Sequence, residues 1–283
     1  MATKKTTSSA KKKTSAASKA AKTRVTTVKA VEAGSSRPAS AILNRRTTLL
    51  RMPVMSAAIA EFLGAFLLAI TVLIVRNEPF YLFIGLVGIF MLVGGLSGAH
   101  LNPAVTIGAW VSRRINRVRA ISYLVAQFLG AMLAFVALNA FLGNAPDVSP
   151  EAASFGQTAP ELFKTLSLPD GKELIVFMAE AIGAMILGFA YATVLRPRVT
   201  DKISGAFTIG GSAFLAMAFA STAAAYVSAS AVLNPAMAVS LKSIDFQDAW
   251  TLLVYFIGPV LGAVVGFFLH DLLKNAEAEV TER

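Results

Sequence analysis

Six stretches of the chain stay apolar long enough to cross a bilayer: about 54–75, 80–96, 120–142, 173–195, 206–227 and 249–269. About 20 apolar residues in a helix rise through the roughly 30 Å of a hydrocarbon core, so each stretch predicts a spanning helix. Polar segments separate them. Arg76-Asn77-Glu78-Pro79 closes the first, the Arg-rich run 113–119 precedes the third, and Arg196-Pro197-Arg198 ends the fourth. Two shorter apolar runs break this rhythm. Leu101-Asn102-Pro103-Ala104 follows the small residues Ser97-Gly98-Ala99-His100, and Leu233-Asn234-Pro235-Ala236 follows a similar run at 228–232. Asn is a strong helix N-cap, and Pro at the first helical position loses no needed N–H. The pattern therefore predicts short helices over 103–112 and 235–241, with Arg113, Arg114 and Lys242 suiting their negative C-terminal ends. Ten helical residues rise about 15 Å, half of the core. Two such halves imply a broken pair meeting near the midplane.

The chain also repeats itself. Ala60-Glu61-Phe62-Leu63-Gly64-Ala65 matches Ala179-Glu180-Ala181-Ile182-Gly183-Ala184, and Gln127-Phe128-Leu129-Gly130 parallels Tyr255-Phe256-Ile257-Gly258. Each half runs in the same order: a Glu-bearing span, a second span, an Asn-Pro-Ala half-helix, a third span. An odd number of spans per half turns the second copy over in the membrane, giving an inverted repeat with its breaks in corresponding places. The predicted fold is an all-α membrane protein of six transmembrane helices plus two re-entrant half-helices. Its divisions are a basic tail (1–52), a first repeat (53–142), a connection (143–172), a second repeat (173–270) and a charged C-terminal tail (271–283).

Composition supports the membrane reading and relocates the charge. The chain is 55% hydrophobic and 15% charged, against about 25% charged in soluble domains. Of the net charge of +10, residues 1–52 carry +12 and the rest −2. The tail is rich in Lys, Ala, Ser and Thr and is expected to be disordered. Its lysines (Lys4, Lys5, Lys11, Lys12, Lys13, Lys19, Lys22) suit anionic lipid headgroups or nucleic acid, though the lack of aromatics argues against a base-stacking platform. Cationic loops face the cytoplasm. The tail, the 113–119 arginines and Arg196, Arg198 and Lys202 belong there, which puts the acidic connection 143–172 outside and both termini in the cytoplasm. No secretory signal precedes the first span, which is expected to act as an uncleaved anchor. With no Cys, disulfides are excluded. Two distant His residues and no nucleophile–base grouping argue against an enzyme, and no metal or cofactor is expected.

Non-helical backbone at membrane depth is tolerated where protein buries it or where it lines a watery cavity. The loops before Asn102 and Asn234 would line such a passage with carbonyl acceptors, while the two Asn amides donate at the junction. The positive ends of the facing half-helices would repel cations there. In these residues the chain resembles the major intrinsic protein family, the aquaporins and aquaglyceroporins. The run 97–106 is close to the family's first signature, and the likeness covers about residues 55–270. The resemblance implies one pore per subunit in a homotetramer in the plasma membrane. It assigns Asn102, Pro103, Ala104, Asn234, Pro235 and Ala236 to the pore motifs and Glu61 and Glu180 to bracing the loops. It also places His100 in a pore vestibule. The family's outer selectivity filter falls, by counting from the motifs without gaps, on Leu82, Thr222, Ala231 and Met237. Met237 stands where an Arg is usual, so neither the water nor the glycerol pattern is met. A wide, apolar filter passing water, glycerol-like polyols, urea or ammonia is the expectation. A coupled transporter would need an ion site, and no Asp or Lys flanks the breaks. The alternative is a non-conducting membrane anchor whose basic tail binds lipid or nucleic acid.

Overall fold

The computed structural model describes residues 52–142, 149–158, 161–195 and 201–281. The basic tail before Met52 and the arginines Arg196 and Arg198 lie outside the described residues. The helices are α1 (Met52–Ile74), α2 (Pro79–Ser97), α3 (Pro103–Val111), α4 (Arg117–Leu142), α5 (Pro150–Ser154), α6 (Glu173–Val194), α7 (Lys202–Ala225), α8 (Pro235–Ser240) and α9 (Ala249–Leu252). A π-helical turn, Leu253–Ile257, carries α9 into α10 (Gly258–Thr281). Among the described residues six helices are long and apolar enough to cross a membrane, the last being Ala249–Ala276, and there is no strand. The protein is an all-α, multi-pass membrane protein.

Local chemistry sets the helix ends. Pro79 opens α2, which closes on Gly98 in the left-handed region (φ 91°), where its N–H returns to the Gly94 carbonyl. The α7 helix starts earlier than its apolar run, because Asp201 caps the N–H groups of Ile203 and Ser204. Residues 271–281 are helical rather than a tail. Leu, Lys, Ala and Glu are good helix formers, and no Gly or Pro interrupts them.

Packing follows the repeat. Within each half the first and third spans pair, α1 with α4 and α6 with α10, and α2 meets α7 between the halves. The short helices cross over: α3 packs on α10 and α8 on α4. Each half-helix is thus walled by the last span of the other repeat. Small residues allow the closest approaches. A Cβ on Gly130 would run into the Phe62 carbonyl, and one on Gly262 into the Ala181 carbonyl.

Gly262→Val should therefore lower the thermal unfolding midpoint of the detergent-solubilised protein, since overpacking at a helix contact costs roughly 1–3 kcal/mol. Gly211→Ala, inside α7 where a Cβ meets nothing within 4 Å, should hold or slightly raise that midpoint, since Ala is the better helix former.

Candidate functional site

The two helix stubs begin as their sequences dictate. Asn102 is extended (φ −149°), and its Oδ1 accepts the Ala104 N–H at 2.8 Å. Asn234 is extended (φ −143°) and accepts from the Ala236 and Met237 N–H groups at 3.0 and 3.4 Å. The residue before each, Leu101 (φ 53°) and Leu233 (φ 59°), is left-handed. That reversal brings the stubs tip to tip. Asn102 Nδ2 donates to the Leu233 carbonyl at 2.8 Å, and Asn234 Nδ2 donates to the Leu101 carbonyl at 2.9 Å. An amide nitrogen carries two protons, so each Asn keeps one donor beyond this cross-brace.

Two buried glutamates hold the strained loops. Glu61 accepts from the His100 and Leu101 N–H groups at 2.9 and 2.7 Å, and from Gln127 Nε2 at 2.7 Å. Glu180 accepts from the Val232 and Leu233 N–H groups at 2.6 and 2.8 Å. One turn along each helix, Gly64 and Gly183 leave the space that the Leu101 and Leu233 side chains fill. The repeated Ala-Glu-x-x-Gly-Ala is thus one device: the carboxyl holds the loop backbone and the glycine receives its leucine.

The loop carbonyls have partners too, and sequence reasoning missed these. Tyr123 Oη donates to Ser97 O and Tyr191 Oη to Ala99 O, both at 2.7 Å, and Tyr255 Oη to Ser230 O at 3.0 Å. Asn77 Nδ2 donates to Ala231 O at 2.9 Å. Ala99 and Ala231 each stand three residues before their capping Asn, so Tyr191 and Asn77 play matching parts in the two halves. Buried Tyr hydroxyls seek an acceptor, which was the available signal for the tyrosines.

A central cavity of about 50 Å³ runs past the tips, its wall including Leu82, His100, Asn102, Met217, Asn234 and Met237. No Asp, Glu, Lys or Arg lines it among the described residues. Room for water needs about 10–15 Å³, so it holds more than one. A second cavity of about 160 Å³ opens beside Arg76, Glu78, Phe163 and Ala231, and Asn77 lines both.

Leu82 and Met237 therefore face the central cavity, while Ala231 faces the outer one. Thr222 does not join them. It is exposed on the stripe of α7 that carries Leu215, Phe219 and Tyr226, with its hydroxyl turned to the Ala218 carbonyl. Counting without gaps put it in the filter, but the register of α7 brings Ala213 and Met217 inward instead. His100 is 1% exposed and so sits in the wall rather than in an open vestibule. Its ring lies edge-on to Tyr123 and Tyr191, with Nδ1 3.2 Å from Thr106 Oγ1. Gln127 is fully buried between Glu61 and Thr106, joining α4 to α1 and α3.

Re-entrant half-helices joined tip to tip within an inverted bundle of six spans define a membrane protein of the aquaporin fold. The chain belongs to the major intrinsic protein family, whose match covers residues 48–270. Aquaporin-1 of Bos taurus is 32% identical over 198 residues, covering 68% of this chain and 65% of that protein. Nodulin-26 of Glycine max is 26% identical over 260 residues, covering 86% and 87%. The chain thus spans about 65% of the length of its aquaporin-1 relatives. In fold it is similar to the X-ray structure of the aquaglyceroporin from Plasmodium falciparum, with a TM-score of 0.57 at 20% identity, over 77% of this chain and 96% of that one.

Glu180→Gln swaps one acceptor oxygen for a donor facing two backbone N–H groups. One buried N–H loses its partner, at a cost of about 1–3 kcal/mol. The thermal midpoint should fall accordingly in a detergent melt.

Proposed function

We propose that the chain is a passive channel for water and small uncharged solutes. The observation that carries this reading is the contact of the two Asn-capped tips beside a cavity without charged side chains. A water molecule at the junction can accept from the remaining N–H of Asn102 and of Asn234. With both lone pairs engaged, it cannot take part in a proton wire through that point. The half-helix N-termini add positive partial charge on both sides, which disfavours cations.

The outer constriction sets the size limit. Leu82 and Met237, with Met217 in place of Thr222, make it apolar, and Ala231 adds a small residue on its outer side. Polyols such as glycerol, urea and ammonia are therefore proposed permeants beside water. In family terms, the molecule works as a homotetramer of independent pores in the plasma membrane, with both termini cytoplasmic. Its divisions would be the two repeats, 53–142 and 173–270, joined by an extracellular connection.

Met237→Arg should narrow this pore. In stopped-flow light scattering on proteoliposomes, glycerol permeability should fall at least tenfold relative to water. A wild type that admits neither water nor glycerol faster than bare lipid would end the channel reading.

A further inference from the structure

Asn77 belongs to the walls of both cavities. Among the described residues it alone lines both, which sets its side chain beside a route from one to the other. It follows α1 in a left-handed conformation (φ 59°) and is 7% exposed. Both protons of its amide are engaged: one on the Ala231 carbonyl at 2.9 Å, the other on the Met217 sulfur at 3.4 Å. Its Oδ1 has no hydrogen-bond partner among the described residues and is not sealed off by its neighbours. The neighbouring groups at this level, Leu82, Met217 and Met237, offer no polar donor. On its inner side, among Leu82, Met217 and Met237, the throat therefore presents an oxygen acceptor and no free side-chain N–H or O–H.

Resting on the channel reading, we propose that Asn77 is the specificity-determining residue of the outer throat, and that it favours solutes donating through N–H or O–H, urea in particular. A solute entering an apolar constriction gives up its water, and each unpaired donor raises the barrier. Oδ1 of Asn77 replaces one of those lost partners for a donor. A solute with acceptors only gains nothing there. Water gains less than urea, because it has two protons to satisfy against urea's four and can keep a second water as a partner in file. The role differs from simple bracing of the Ala231 loop, because bracing uses the nitrogen and selection uses the oxygen.

The test uses the full chain in liposomes, with water and urea permeabilities read by stopped-flow light scattering. Asn77→Gly removes the side chain, while its backbone conformation suits glycine without strain. The urea-to-water permeability ratio should fall at least threefold, although the throat becomes wider. Asn77→Asp, similar in size and tolerated in this backbone region, keeps an oxygen acceptor and should retain at least half of the wild-type ratio. An unchanged or higher ratio in Asn77→Gly, or an equal loss in both variants, would overturn the proposal. So would a wild type that conducts water but not urea. Bare-lipid rates for both permeants in the wild type would instead sink the channel reading itself.

Discussion

The structure depends on satisfying the backbone of two loops that stop being helical inside the membrane. Hydrocarbon offers no hydrogen bonds, so every N–H and C=O there must find a protein or cavity partner. The solution is reciprocal. Each capping Asn uses its oxygen on its own half-helix and its nitrogen on the carbonyl before the other cap. Neither loop can be completed alone. Four non-glycine residues near the breaks, Ala99, Leu101, Ser228 and Leu233, hold positive φ, at about 1–3 kcal/mol each. The buried glutamates and the cross-brace are what keep such a backbone in place.

The two repeats fulfil one plan with different side chains. In the first, Gln127 joins Glu61 to Thr106, and Thr106 meets His100, so the loop is fastened from within the bundle. In the second, Tyr255 stands where Gln127 does and reaches the loop carbonyl of Ser230 instead. The connection before α6 adds a strap. The N–H of Leu166 donates to Ser230 Oγ, and that of Phe163 donates to the Leu73 carbonyl. The half-helix lengths differ as well, nine residues in α3 against six in α8. The symmetry lies in the backbone and its acceptors, and the side chains vary around it.

What could be read along the chain was whatever has a local rule. Apolar length gave the six spans, and Asn-Pro gave both half-helix starts to the residue. The repeated Glu and Gly could be paired by position, although the job of the glycine became visible only once Leu101 and Leu233 were seen to fill its space. Long-range partners had no such rule. Tyr191 lies in the last turn of α6 and Tyr123 in the second turn of α4, and nothing nearby in sequence names Ala99 or Ser97 as their acceptors. Thr222 failed for a different reason: a gap-free count fixes distance along the chain, whereas facing the lumen depends on helix rotation, at 100° per residue. Asn77 looked like loop punctuation because its partners stand 140 and 154 residues away.

The missing arginine moves the weight of cation exclusion to the centre of the proposed pore. At Met237 the lumen carries no fixed charge, and Arg76 lies further out, exposed, with Glu78 beside it to offset its field. Screening by water is strong in an open mouth and weak in a narrow apolar passage. A partial charge at the half-helix tips therefore counts for more than a full charge at the rim. The tips also cannot relax away from a passing ion, because the cross-brace fixes both Asn side chains to the opposite loop. On this account the outer throat is free to vary in size and polarity, and discrimination against charge stays with the one feature both repeats must build together.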